Sequence, residues 1–97
     1  MSTHNDSFAA PPGAPARAAR AQAHFLLTEV RAGLTFLDVG ETSRREGTPE
    51  RTRARAREAY DVVARHLAAD DVALTADERD EIARLHADLG ARLAGHA

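Results

Sequence analysis

Small and apolar residues on both sides of a glycine-containing bend constrain the fold more than any other feature of this chain. Within residues 36–67 they recur mostly at intervals of three, four or seven. They are Phe36, Val39, Gly40, Gly47, Ala56, Tyr60, Val63 and Leu67. Intervals of three and four place side chains on one face of an α-helix. The spacing therefore predicts two antiparallel helices packed across a tight bend, with glycine where their backbones come close.

The rest of the chain extends this prediction to an all-α bundle of three helices. No run of four or more residues alternates apolar and polar types with β-branched enrichment, so no strand is expected. The helices are predicted at about 16–46, 49–69 and 76–94, within one domain that covers 16–97. Residues 1–15 contain Pro and Gly without any periodic pattern and are predicted to form a disordered tail.

Capping residues set the predicted helix boundaries. Gly47 suits the C′ position after the first helix. Thr48 is expected to be the N-cap of the second helix, with Pro49 in its first turn. Thr75 and Glu78 have the spacing of a capping box, in which each side chain accepts from the other residue's backbone amide. A third helix is therefore expected to begin directly after Thr75.

Each predicted helix carries an apolar stripe that is expected to form the core. The stripes consist of Leu27, Val30, Leu34 and Leu37 in the first helix, Ala56, Ala59, Tyr60, Val63 and Leu67 in the second, and Ile82, Leu85, Leu89 and Leu93 in the third. In the first helix Phe25, Phe36 and Gly40 form a second stripe beside the first. Two stripes predict a broad apolar face that packs on two neighbours.

The charges are unevenly distributed along the chain. Residues 48–69 hold five Arg and three acidic residues, whereas residues 70–97 hold seven acidic residues and three Arg. Opposite net charges on consecutive segments predict that these segments lie side by side. The acidic residues of the third helix are therefore expected to pair with the Arg-rich start of the second.

The residues that would support catalysis or metal binding are missing from the pattern. The chain has no cysteine, and no two of its five histidines are three or four residues apart. No glycine-rich phosphate loop or nucleophile elbow is present. A meeting of His66 and His86 between the second and third helices is one interpretation, but boundary histidines are the simpler one. We therefore expect no enzyme, no catalytic residue, no metal and no cofactor.

The predicted hairpin resembles a single degenerate tetratricopeptide repeat. Phe36, Val39-Gly40 and Gly47 match the aromatic, the Leu-Gly-like pair and the second glycine of that repeat, and Ala56, Tyr60 and Val63 match its second helix. The sequence departs from the repeat by about four extra residues before Ala56, by Ser43 in place of Tyr, and by the lack of a closing Pro. The core is also similar to short bacterial proteins of an uncharacterised family. The repeat implies a protein-interaction module, with the third helix as its cap.

These features predict a non-enzymatic protein–protein interaction module. Its partner is expected to be an acidic protein or a second copy of the chain, bound by Phe25 and Thr28 of the first helix and by Arg51 and Arg55 of the second. The alternative is a nucleic-acid-associated regulator that uses Arg51, Arg53, Arg55 and Arg57. That alternative is weaker because positions two apart scatter around a helix. No secretory signal or membrane span is present, so a cytoplasmic location and no membrane partner are expected.

Overall fold

Three α-helices make up the part of the chain that the structure, a computed structural model, describes. Residues 14–95 are described, and they contain α1 (Ala14–Thr42), α2 (Thr48–Ala69) and α3 (Ala76–Gly95). These residues include no strand. The all-α class and the number of helices are confirmed. The predicted disordered tail lies outside the described residues except for Ala14 and Pro15, which belong to α1.

Small residues bring α1 and α2 close together, and this pair has the most extensive contact of the three. A β-carbon added at Gly33 would lie 3.2 Å from Cβ of Ala59, and one added at Gly40 would overlap the side chain of Thr52. Positions further along α1 therefore contact positions earlier in α2. Gly33 also faces α3, because the same β-carbon would lie 2.8 Å from Cδ2 of Leu89. Gly33 is thus the point where all three helices meet.

The core lies along this junction and consists of aliphatic side chains. Its largest fully buried members are Leu26, Val30, Val63, Ile82, Leu89 and Leu93. Among the described residues no polar or charged side chain is buried. Tyr60, Leu67 and Leu85 pack against this core while partly exposed. The stripes predicted for α2 and α3 are therefore correct in position, although their edges reach solvent.

The buried stripe of α1 differs in register from the predicted one. Ala23 and Leu26 are buried together with Val30 and Leu37, whereas Leu27 and Leu34 are only partly buried. The buried residues include Gly33 and Gly40, so the stripe repeats at alternating intervals of three and four. Two glycines in the stripe carry no hydropathy signal, and hydropathy consequently points to the flanking leucines instead.

The first helix ends four residues before the predicted boundary. Thr42 Oγ1 donates to the backbone oxygens of Asp38 and Val39 at 3.0 and 3.3 Å, and Ser43 Oγ accepts from the backbone amide of Arg45 at 3.2 Å. Hydroxyl side chains that bond to nearby backbone groups compete with continuation of a helix. The chain therefore leaves α1 at Thr42, before the three consecutive charged residues that the prediction includes in this helix.

Gly47 caps the start of α2 rather than the end of α1. Its φ of 82° lies in the left-handed region. It occupies the N-cap position of α2, where glycine has no side chain to accept from the first backbone amides of the helix. Thr48, the predicted N-cap, is the first helical residue instead, and its hydroxyl oxygen accepts from Arg51 at 3.2 Å. The prediction for both residues is wrong because α1 already ends at Thr42, so Gly47 lies five residues past that end and adjoins only α2.

The connection between α2 and α3 follows the predicted capping box. Thr75 Oγ1 accepts from the Glu78 amide at 3.1 Å, and Glu78 Oε1 accepts from the Thr75 amide at 2.9 Å. Val72 is buried and closes the core below the turn. Asp70 ends α2 in the left-handed region with a φ of 52°, and its carboxylate pairs with Arg79.

Candidate interaction surface

A row of apolar and small residues runs along one side of α1 beside its buried stripe, and we name this row the outer α1 face. Its residues are Ala21, Phe25, Thr28, Ala32, Phe36 and Val39. They follow one another at intervals of three and four, so they share one side of the helix. One member, Phe36, is partly buried and also packs against the core. Phe25 and Val39 are 48% and 46% exposed. These two are the large hydrophobic residues that are exposed within residues 14–95, and both lie on this face.

The prediction that Val39 packs within the hairpin is wrong. The residue beside it, Gly40, faces α2 instead. Because neighbouring positions on a helix point about 100° apart, Val39 then points toward solvent. The missed signal is the regular spacing of the six positions of the outer α1 face, which becomes visible only once the buried stripe is known.

Phe36 joins this face to α2 through a cation–π contact. The guanidinium carbon of Arg55 lies 5.1 Å from the centre of the Phe36 ring. Such contacts contribute about 0.5–1 kcal/mol at exposed sites. Arg55 is therefore held at the border of the outer α1 face, where its positive charge remains exposed to solvent.

The four residues predicted to bind a partner occupy two separate levels of the α1–α2 pair. Phe25 lies in a depression near His66 and Val72, toward the C-terminal end of α2. Arg55 lies beside Phe36, which is eleven residues further along α1 and thus about 16 Å away along its axis. Thr28 is exposed one turn beyond Phe25. A partner that touches all of them must extend along α1.

The arginines at the start of α2 do not form a single charged stripe. Arg51 donates to Thr48, and Arg53 donates to the backbone oxygen of Leu93 at 2.5 Å. That oxygen belongs to the last turn of α3, where carbonyls lack helical partners and the macrodipole favours a cation. Arg55 contacts Phe36, while Arg57 is exposed and has no ion pair among residues 14–95. Three of the four arginines thus make contacts within the fold.

The acidic residues of α3 pair with α1, which corrects the expectation that they would pair with α2. Arg20 pairs with Glu78, and Arg31 pairs with Glu81 at 2.7 Å. These pairs favour one position of α3 along the axis of α1. They leave the arginines of α2 without acidic partners from α3 among the described residues.

At the opposite end of the α1–α3 contact, Arg92 reaches two carboxylates of α1. Its guanidinium lies 2.8 Å from Asp38 and 3.2 Å from Glu41. The hydrogen bond to Asp38, assisted by Glu41, raises the pKa of Arg92 against the opposing effect of partial burial. Near the other end, two hydrogen bonds lower the pKa of Glu78. The one from the Thr75 amide has the larger effect, and the one from Arg20 comes second.

The two histidines considered as a pair lie in different contacts. His66 Nδ1 is 2.8 Å from Asp71, whereas the ring of His86 stacks on Tyr60. Within residues 14–95 no group of three His, Cys, Asp or Glu side chains is arranged to hold a metal ion. The two histidines thus take part in hydrogen bonding and packing within the fold.

None of the described helices combines the length and the apolar character needed to cross a membrane.

Comparison of the chain with protein-family models, with curated proteins and with solved structures found no match. The functional interpretation therefore depends on the surface geometry alone.

Proposed function

We propose that this chain is a non-enzymatic protein–protein interaction module, built on an antiparallel, tetratricopeptide-like hairpin of α1 and α2 with α3 as its cap, and that it acts in the cytoplasm. The observation that carries the proposal is the half-exposed side chain of Phe25, on the same face as Val39. Exposed large apolar residues on one face of a helix are typical of a site that receives another helix.

Charge supports the same surface. Arg55 borders the outer α1 face at Phe36, and Arg51 lies one turn earlier on α2. Neither forms an ion pair among residues 14–95. Exposed arginines beside an apolar strip favour an acidic partner and increase its rate of association. Phe25 and Thr28 would then supply the apolar contact, and Arg51 and Arg55 the electrostatic one.

The test is capture of partners from the host lysate with the tagged chain, before and after nuclease treatment. Phe25→Asp should abolish capture and retain helicity, because Phe25 lies outside the buried core cluster. Ala83→Asp is the matched control, since it places the same charge on an exposed position of α3. Equal capture by both variants contradicts the proposal. Loss of all captured material on nuclease treatment would favour the nucleic-acid alternative.

A further inference from the structure

We propose that the partner of the outer α1 face is the same face of a second copy of this chain, crossed antiparallel about a two-fold axis beside Ala32. This inference rests on the proposed function and names its partner. Identical surfaces that meet across a two-fold axis must be self-complementary. The outer α1 face meets this requirement in both side-chain size and charge.

Side-chain size is complementary about Ala32. Residues equally distant from Ala32 on opposite sides come to the same level when the two helices cross there. Phe36 then lies level with Thr28 of the partner subunit, and Phe25 with Val39 of the partner subunit. In the first pair a large residue meets a smaller one. Ala32 at the crossing point permits the close approach of about 8–10 Å that packed helices require.

Charge is complementary along one border of the same contact. Gly33 and Gly40 contact α2, and Glu29 and Phe36 are spaced from them by three and four residues. Glu29 therefore lies on the border of α1 that faces α2, as does Arg55 above Phe36. A two-fold axis perpendicular to both α1 helices places the α2-facing borders of the two subunits on the same side of the interface. It brings Arg55 level with Glu29 of the partner subunit.

Glu29 and Arg55 are available for this pairing. Neither belongs to an ion pair among residues 14–95, although four arginine side chains there do. The proposed dimer thus contains two equivalent Glu29–Arg55 pairs and two apolar clusters on either side of Ala32. Partly exposed pairs contribute little each, so the apolar residues supply most of the affinity.

Cysteine cross-linking tests the crossing point, because the chain contains no cysteine of its own. Ala32→Cys should form a disulfide-linked dimer under mild oxidation, since each introduced thiol would face its counterpart. Thr28→Cys on the same face should not, because its two copies would lie about 12 Å apart along the axis, whereas a disulfide requires β-carbons about 4 Å apart. Ala83→Cys on α3 is the control for random collision. Cross-linking of the Thr28→Cys variant as well as the Ala32→Cys variant indicates a parallel dimer and overturns the proposal.

Sedimentation equilibrium over a concentration series measures the affinity. Phe25→Asp should weaken the dimer about 30-fold or more, as expected for the loss of a large aromatic interface residue, and Ala83→Asp should not. Glu29→Arg and Arg55→Glu should each weaken it about tenfold, and the double variant should recover the loss. Failure of the double variant to recover, with both single variants weakened, contradicts the proposed charge pairing.

The two proposals fail separately. A wild-type chain that stays monomeric throughout the series, and whose capture of another protein is lost in Phe25→Asp alone, overturns the dimer and retains the interaction module. A monomeric chain whose Phe25→Asp variant behaves like wild type in capture overturns both. A dimer that is insensitive to Phe25→Asp, and that does not cross-link in the Ala32→Cys variant, uses another surface, which also overturns this inference.

Discussion

The ring of Tyr60 lies nearly parallel to the imidazole of His86, with 4.0 Å between their centres and 15° between their planes. His86 Nε2 lies 3.0 Å from the backbone oxygen of the same tyrosine. A carbonyl only accepts, so the imidazole donates there from Nε2. The tyrosine ring also packs on Gly90, where an added β-carbon would lie 2.7 Å from Cε1. One residue of α2 is thus held at two successive turns of α3.

Replacing His86 should weaken the attachment of α3 to α2. His86→Ala removes the ring stacking and the hydrogen bond, so we expect the free energy of unfolding to fall by about 1–2 kcal/mol. His24→Ala, at an exposed position of α1, is the matched control and should change it by less than about 0.5 kcal/mol. Urea denaturation followed by circular dichroism measures both. Equal effects in the two variants would show that the stacking contributes no stability.

A methyl group at the junction of the three helices should destabilise the fold. Gly33→Ala forces a shift of Leu89 or Ala59, and overpacking typically costs about 1–3 kcal/mol. Alanine gains about 1 kcal/mol in helix propensity, which offsets part of that cost. A net loss is expected in thermal unfolding. Gly95→Ala, where no atom lies within 4 Å, should show no loss. A Gly33→Ala protein more stable than wild type would mean that the helices separate easily.

The bend between α1 and α2 depends on the left-handed conformation of Gly47. Gly47→Ala should lower the free energy of unfolding by about 1–2 kcal/mol, because a β-carbon disfavours positive φ. Gly47→Asn should lower it less, since asparagine tolerates that region better than alanine. Chemical denaturation of the two variants gives the order. The reverse order would contradict a backbone origin of the effect.

Glu78 should make stability depend on pH below neutrality. Its pKa is lowered, first by the hydrogen bond from the Thr75 amide and then by Arg20, so the folded state favours the carboxylate. The resulting stability is complete above the unfolded-state value of about 4.3 and is lost as the pH falls through the lower folded-state pKa.

The measurement is the free energy of unfolding of wild type and Glu78→Gln as a function of pH. The difference between them should be present at pH 7 and should disappear in acid. Glu58→Gln, at an exposed position of α2, provides a baseline whose difference from wild type should not vary in this way. A Glu78→Gln difference that persists unchanged into acid would exclude the carboxylate charge as its source.

Local signals in the sequence are sufficient where a single residue pair determines the structure. The capping box of Thr75 and Glu78 is predicted from spacing alone, and the buried positions of Ile82 and Leu89 follow from hydropathy. In each case the physical cause lies within a few residues of the chain. The three-helix, all-α class follows from the sum of such local preferences.

Properties that depend on which helix lies opposite are not predictable in the same way. The role of Gly33 is to admit Leu89, which lies 56 positions later in the chain. The sequence assigns the acidic residues of α3 to the arginines of α2, because net charge per segment does not tell which side of a helix faces which neighbour. For the same reason Ala32, Phe36 and Val39 of the outer α1 face are not predicted to bind a partner.

The contacts between the three helices differ in extent, and this difference determines which helix detaches first during unfolding. α1 and α2 share the largest contact, built on close approach of small residues, while α3 meets α1 partly through exposed ion pairs that salt screens. Local opening starts where least contact is lost. Release of α3 is therefore the cheapest partial unfolding, and amide hydrogens of α3 should exchange with solvent before those at the centre of α1 and α2, sooner still at high ionic strength.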